Sequence, residues 1–183
     1  MTQKYSEEEI IKALKNRDSE AFRYVYQKYY AKIKSVSYGV VHNNEDAEDI
    51  VQEVFIDLYD SLSRFKEQSS LSTWLYRIAL NKSYNFLRSK KIRDIFTRFE
   101  ERLSQHPDQN EDEDEKNRQL TDLHRAIEAL PERQAKAFSL FFYEKMSQKE
   151  IAEIMQLNSI TTVEQLIFRA KQNIRKMMKI NED

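Results

Sequence analysis

The chain has 183 residues, a charged fraction of 33%, an aromatic fraction of 11%, one Gly, two Pro and no Cys. That composition excludes disulfides, thiolate metal sites and thiol nucleophiles. It argues against phosphate-cradling glycine loops and tight hairpins, and it leaves enough apolar material for one domain or two small ones. No apolar run approaches the roughly 18 residues of a membrane span, and the acidic start MTQKYSEEEI lacks the apolar centre of a secretion signal. A cytoplasmic protein without metal, cofactor, small-molecule substrate or membrane insertion is the expectation.

The net charge of −1 hides an uneven distribution. Residues 1–93 carry a net +3, 94–119 a net −5 and 120–183 a net +1. Two slightly basic blocks therefore flank an acidic connector.

In chain order, almost everything outside the connector has helical periodicity. Ser6 and Glu9 form a capping-box pattern that opens a short helix through Leu14. Asp18 or Ser19 caps a second helix, with Ala21, Phe22, Val25, Tyr26, Tyr29, Ile33 and Val36 at helical spacing. Asn44 caps a third, running to about Leu62, and a fourth starts near Leu71 or Ser72. The connector contains HPDQNEDEDEK, where Pro107 breaks helix and the carboxylates resist compaction, so a flexible acidic linker is expected there. Beyond it, Pro131 fits the first turn of a helix carrying Ala135, Phe138, Phe141 and Phe142. Ser147 and Glu150 form a second capping box, and a last helix spans about Thr161–Lys179. No alternating strand pattern is present. The expected fold class is all-α, two small helical domains (1–93 and 120–183) joined by the linker 94–119.

Three helical faces carry functional information. On the third helix, Ala47, Val51, Val54, Phe55 and Leu58 point inward, while Asp49, Gln52, Glu53 and Ile56 point outward. Carboxylates repel DNA, so this face suits a protein partner, with Ile56 as an apolar anchor in a polar rim. The alternative is a solvated acidic surface. The fourth helix, over Ser72–Lys91, has five cations and no carboxylate. Its buried stripe is Leu75, Ile78, Ala79 and Phe86. Its other side presents Trp74, Arg77, Asn81, Tyr84, Asn85, Arg88 and Lys91. A solvated helix face normally mixes signs. Cations beside flat rings and forked amides suit unpaired nucleic acid, where phosphates are tracked and bases stack. For Trp74 the plainer reading is a core anchor.

The segment KEIAEIMQLNSITTVEQLIFRAKQNIRKMM reads as helix-turn-helix, packed through Ile151, Ala152 and Met155 on its first helix. Val163, Leu166, Ile167, Ala170, Ile174 and Met177 line the second. Such motifs place the second helix in the major groove; the alternative is a plain helical hairpin. From Arg169 to Lys179 there are five cations and no acid.

DAEDIVQEVF, STWLYRIALNKSYNFLR, ALPERQAKAF, MSQKEIAEIM and TVEQLIFRAKQNIR, in this order, resemble the extracytoplasmic-function (ECF) sigma factors of bacterial RNA polymerase. The resemblance implies that Asp49, Gln52, Glu53 and Ile56 dock on core polymerase. It implies that Trp74, Arg77, Asn81, Tyr84, Asn85, Arg88 and Lys91 meet the melted minus-ten strand of promoter DNA. Thr161, Thr162, Gln165, Phe168, Arg169 and Gln172 would meet the minus-thirty-five element. It also implies an anti-sigma factor as a partner, often a membrane-tethered one. In this chain the turn before Val163 lacks the family's customary Gly. The competing readings are a helix-turn-helix regulator acting without core polymerase, a helical adaptor that only joins proteins, and, weakest, an enzyme, since His42, His106 and His124 are scattered.

Overall fold

The computed structural model describes residues 6–62, 65, 69–103 and 123–180. Among them the elements are α1 (Glu7–Lys15), α2 (Ser19–Val41), α3 (Asn44–Ser61), α4 (Leu71–Leu103), α5 (123–128), α6 (Glu132–Phe142), α7 (Gln148–Ile154) and α8 (Ile160–Ile180), with no strand. The all-α expectation holds.

The local chemistry of the helix starts explains much of this division. The Ser6 hydroxyl accepts from the Glu9 backbone while the Glu9 carboxylate accepts from the Ser6 N–H, so both boxed donors are satisfied. Asp18 caps α2 through the amides of Glu20 and Ala21. Asn43, one residue before the expected Asn44, caps α3 by accepting from the Asp46 amide at 3.0 Å. At the start of α4 the Ser70 hydroxyl accepts from the Thr73 amide, and Glu7 reaches across from α1 to the Leu71 amide. Ser147 and Glu150 close the second capping box ahead of α7.

The chain turns without glycine. Arg17, His42, Lys145 and Gln156 all adopt left-handed backbone, at φ of 53–59°. Gln156 occupies the turn between α7 and α8, so an L-residue accepts there the strain that Gly would avoid. The single glycine, Gly39, serves another purpose inside α2. Tyr143 lies over it, with side-chain carbons 3.5 Å from where a Cβ would stand, so the backbone of α2 and the end of α6 approach closely.

α2, α3 and α4 pack against one another, with α1 on α2. Ile33, Val36, Val51, Val54, Leu58, Leu71 and Leu75 are among their fully buried residues. The stripe of α4 is Leu71, Leu75, Ala79 and Ser83, the last donating to the Ala79 carbonyl at 2.7 Å. Ile78 and Phe86, expected in that stripe, are half-buried at its margin. α4 also continues ten residues past Arg93, into the expected connector. No Gly or Pro intervenes before Pro107. The rest of the connector, 104–119, lies outside the described residues.

In the second block α6 packs on α8 and α7 on α8. Two departures from the periodicity reading occur here. Residues 123–128 form a helix that the sequence reading left unassigned, although Leu123, Ala126, Ile127 and Leu130 have helical spacing. The buried residues of α6 are Ala135, Ala137, Ser139 and Leu140, while Phe138, Phe141 and Phe142 sit half-buried at the rim. α6 is covered on two sides. Ala135 joins Ala170 and Ile174 of α8, and Ala137 and Leu140 join the core of the first block. Small residues admit the neighbouring backbones, and the large rings stack outside them, with Phe138 and Phe142 at 4.4 Å between centroids.

The two blocks thus share one hydrophobic cluster, which runs from Ile10 through Ile33 and Leu75 to Leu140, Ile154 and Val163. α2 touches α6 and α4 touches α7.

Candidate polymerase and nucleic-acid interfaces

The outward residues of α3 stand in solvent. Asp49, Gln52 and Glu53 are exposed, and Ile56 is 59% exposed with Tyr59 beside it at 49%. Behind them Val51, Val54, Phe55 and Leu58 are buried, so the face rests on a rigid base. Lys82 of α4 bridges Glu53 at 3.1 Å and Asp57 at 3.0 Å. Burial pulls its ammonium pKa down, but the two carboxylates outweigh that and the net shift is upward. The face is therefore an acidic patch with an unburied aliphatic side chain in it, a pattern suited to a protein surface of opposite charge.

The helix-turn-helix face is also open. Thr161, Gln165, Arg169 and Gln172 are exposed, Thr162 is half-exposed, and Phe168 is 60% exposed with Ile160 at 45%. On the opposite side Val163, Ile167, Ala170 and Ile174 are buried. Leu166 and Met177, counted in the same stripe by periodicity, are half-buried, as is Met155. The expected orientation of α8 agrees with its backbone. Asn173 donates to Gln134 of α6 at 2.9 Å and fixes the angle between the two helices.

The α4 face differs from a plain outward surface. Trp74 is half-buried, its ring 5.0 Å from Phe65 and packed against the main core, so the plainer anchoring role is partly realised. Arg77, Asn81, Tyr84 and Arg88 project away from their own bundle and meet the second block. Arg77 donates from Nε to the Ile154 carbonyl at 3.1 Å and from Nη2 to the Glu153 carbonyl at 3.0 Å. These carbonyls lie at the C-terminal end of α7, where the helix dipole favours a cation such as the guanidinium. Burial lowers the Arg77 pKa. Lys136 of α6 donates to Asn81 Oδ1 at 3.0 Å and sits 5.2 Å above the Tyr84 ring. The Tyr84 hydroxyl pairs with Ser139, and burial raises its pKa. Arg88 meets Glu132 at 2.8 Å, and Glu132 also holds Lys136 at 2.8 Å. Hydrogen bonding from Lys136 keeps the Glu132 carboxyl below its ordinary range. Asn85 is exposed. The side chain of Lys91 lies outside the described residues.

Further links join the blocks at α2. Lys32 pairs with the buried Glu144 at 2.6 Å, and the Ser35 hydroxyl donates to the same carboxylate at 2.8 Å. His42 stacks on His124 of α5, with centroids 4.1 Å apart and rings 12° from parallel. A cavity of about 630 Å³ opens beside this stack, lined in part by Leu87, Arg88, Arg125 and Glu128. Sequence reasoning found the α4 face but missed Glu132, Lys136, Ser139 and Glu144, which come to meet it. The i, i+4 pair Glu132–Lys136 was visible, though nothing local showed where it points. Among the described residues there is no group of three or more His, Asp or Glu that could hold a metal, and no helix is long and apolar enough to cross a membrane.

Comparison with known proteins defines the class first. Residues 25–92 match the Sigma-70 region 2 family and residues 120–174 match Sigma-70 region 4. The ECF RNA polymerase sigma-E factor of Escherichia coli K12 is 31% identical over 183 residues, covering 95% of each chain. Among solved structures, CnrH in complex with the cytosolic domain of CnrY superposes with a TM-score of 0.64 at 19% identity, covering 93% of this chain and 96% of that one. RpoE of Bartonella quintana, in complex with the anti-sigma factor NepR, gives 0.56 at 22% identity, covering 87% and 97%.

The chain belongs to the ECF sigma factors of the sigma-70 family. It is a transcription initiation factor that binds core RNA polymerase.

Proposed function

We propose that the division of labour among its faces follows the three surfaces described above. Asp49, Gln52, Glu53 and Ile56 dock on core polymerase. Trp74, Arg77, Asn81, Tyr84, Asn85, Arg88 and Lys91 hold the unpaired non-template strand at the minus-ten element. Thr161, Thr162, Gln165, Phe168, Arg169 and Gln172 lie against minus-thirty-five duplex. Residues 1–93 and 120–183 act as the two functional units. The factor works in the cytoplasm without catalysing a reaction of its own, and an anti-sigma factor restrains it; the Bartonella quintana structure holds its sigma factor in complex with one.

The observation that carries the strand-capture role is the absence of any carboxylate from Gln68 to Arg93. Arg77 and Arg88 of α4 rest on carbonyls of α7 and on Glu132, while Lys82 and Lys90 pair with carboxylates of α3. Phosphates would offer the same acceptors along a strand. Capture of an unpaired strand in preference to duplex shifts the open–closed promoter equilibrium by the difference in the two affinities.

Run-off transcription with core polymerase tests the whole reading. Initiation at defined starts that depends on Trp74 and on the α8 face supports it. Stable palindromic duplex binding without polymerase, and no initiation with it, would favour an ordinary helix-turn-helix regulator instead.

A further inference from the structure

We propose that Glu164 makes this factor select a cytosine: in the minus-thirty-five duplex its carboxylate accepts a hydrogen bond from the exocyclic N4 amine of one cytosine in the major groove. This rests on the minus-thirty-five reading proposed for α8.

Glu164 is the one acid from Ile154 through Ile180, against five cations in the same stretch. It is exposed in the second turn of α8, next to the exposed Gln165. Phe168 follows four residues later, and residues four apart stand one above the other on a helix. The carboxylate therefore shares a strip with a ring that is 60% exposed. The first turns of a groove helix are the part that meets base edges.

The plainer uses of this acid are closed to it. A carboxylate on a helix surface ordinarily pairs with a cation three or four residues away. Those positions here are Ile160, Thr161, Ile167 and Phe168. Among the described residues no side chain donates to Glu164 or forms an ion pair with it. An acid in the first turn would complement the helix dipole, but the first turn of α8 contains no acid, and Glu164 lies just beyond it.

Against a duplex, an unpaired carboxylate is repelled by phosphates and by the acceptors on base edges. Only two bases present a donor in the major groove, cytosine through N4 and adenine through N6. In an A·T pair the N6 donor lies between the N7 and O4 acceptors, so a carboxylate meets repulsion on both sides. In a G·C pair the N4 donor has an acceptor only on the guanine side, and its other flank is the C5–H edge. Cytosine is the base that offers Glu164 a partner. The same charge penalises the other letters at that position, so selection comes from repulsion as well as attraction.

The test is run-off transcription by the full-length factor with core polymerase, on a promoter library randomised across the upstream duplex and read by sequencing barcoded transcripts. The wild type is expected to favour cytosine, on one strand at one upstream position, by about tenfold, the size of one base contact. Glu164→Ala should flatten that position alone. Glu164→Arg should turn it to guanine, which Arg reads through O6 and N7. N4-methylcytosine at that position keeps its base pair and loses the N–H that faces the groove; it should weaken the wild type and leave Glu164→Ala unaffected. Glu164 is exposed, so a thermal melt should not separate these variants from the wild type. Gln165→Ala and Arg169→Ala serve as references for α8. Letter preferences identical in wild type, Glu164→Ala and Glu164→Arg, but altered in the two references, would overturn the cytosine contact and leave the minus-thirty-five reading standing. A uniform gain on every promoter in Glu164→Ala would overturn it too, since the acid would then only repel phosphate. Upstream preferences unchanged in all four variants would fall on the minus-thirty-five reading and take the cytosine contact with it.

Discussion

Truncation of Ile56 to Ala isolates the docking proposal from the fold. Full burial of an isoleucine side chain contributes about 1.5–3 kcal/mol. In the free chain Ile56 is 59% exposed, so a partner that covers it completely gains roughly three-fifths of that, about 0.9–1.8 kcal/mol. Ala keeps a Cβ, which places the loss toward the lower end. At about 1.4 kcal/mol per tenfold, core-polymerase affinity should fall by about 4- to 20-fold. The assay is competition for core polymerase between labelled wild type and unlabelled variant. A thermal melt serves as control, because an exposed side chain should leave the midpoint within a degree or two. Unchanged affinity with an unchanged melt would remove Ile56 from the docking surface. A large drop in the melting temperature would show that it packs instead.

Three more outcomes are expected. Glu53→Lys should weaken polymerase binding severalfold and spare the fold, since Lys82 keeps Asp57 at 3.0 Å; an intact affinity measured by the same competition contradicts this. Trp74→Ala should reduce run-off from duplex promoters by about tenfold or more, in line with the ~1–3 kcal/mol of one base stack. Templates pre-melted by mismatches should be far less affected, because their unpairing cost is already removed, and equal losses on both argue against strand capture. Acidification should loosen the contact between the two blocks. Burial and then His124 depress His42 from 6.5 to about 4, so the neutral imidazole belongs to the packed state. Its contribution is intact above pH 6.5 and is lost as pH falls toward 4. The groups around it are Tyr38 on α2, Arg88 and Lys90 on α4, His124, Arg125 and Glu128 on α5, Glu132 on α6, and Tyr143. His42→Asn tolerates the left-handed backbone and removes the titration. Scattering radii that rise with the same pH slope in both proteins would refute the assignment.

The legible parts of this fold were those determined within a few residues. Ser6 with Glu9 and Ser147 with Glu150 announced two helix starts because a capping box closes on itself. The inward residues of α3 and the exposed face opposite them followed from one helical period, since both depend only on the helix they belong to. Tyr84, Arg77 and Asn81 were harder. A helical wheel gives the direction of a side chain relative to its own axis, and says nothing about what arrives from 55 to 77 residues away. The same reason misled the reading of α6, where large phenylalanines looked like the core and small alanines carried it. α5 was missed because it is short and follows the acidic run. The face of α8 was readable because none of the described residues covers it.

The double duty proposed for Arg88 and Asn81 restrains how this protein can drift. A change in either that suits another promoter letter also alters its bond to Glu132 or Lys136. A descendant with an acid at position 88 would then gain from a base at position 132. Target preference and the seam between the blocks would be inherited as a matched set.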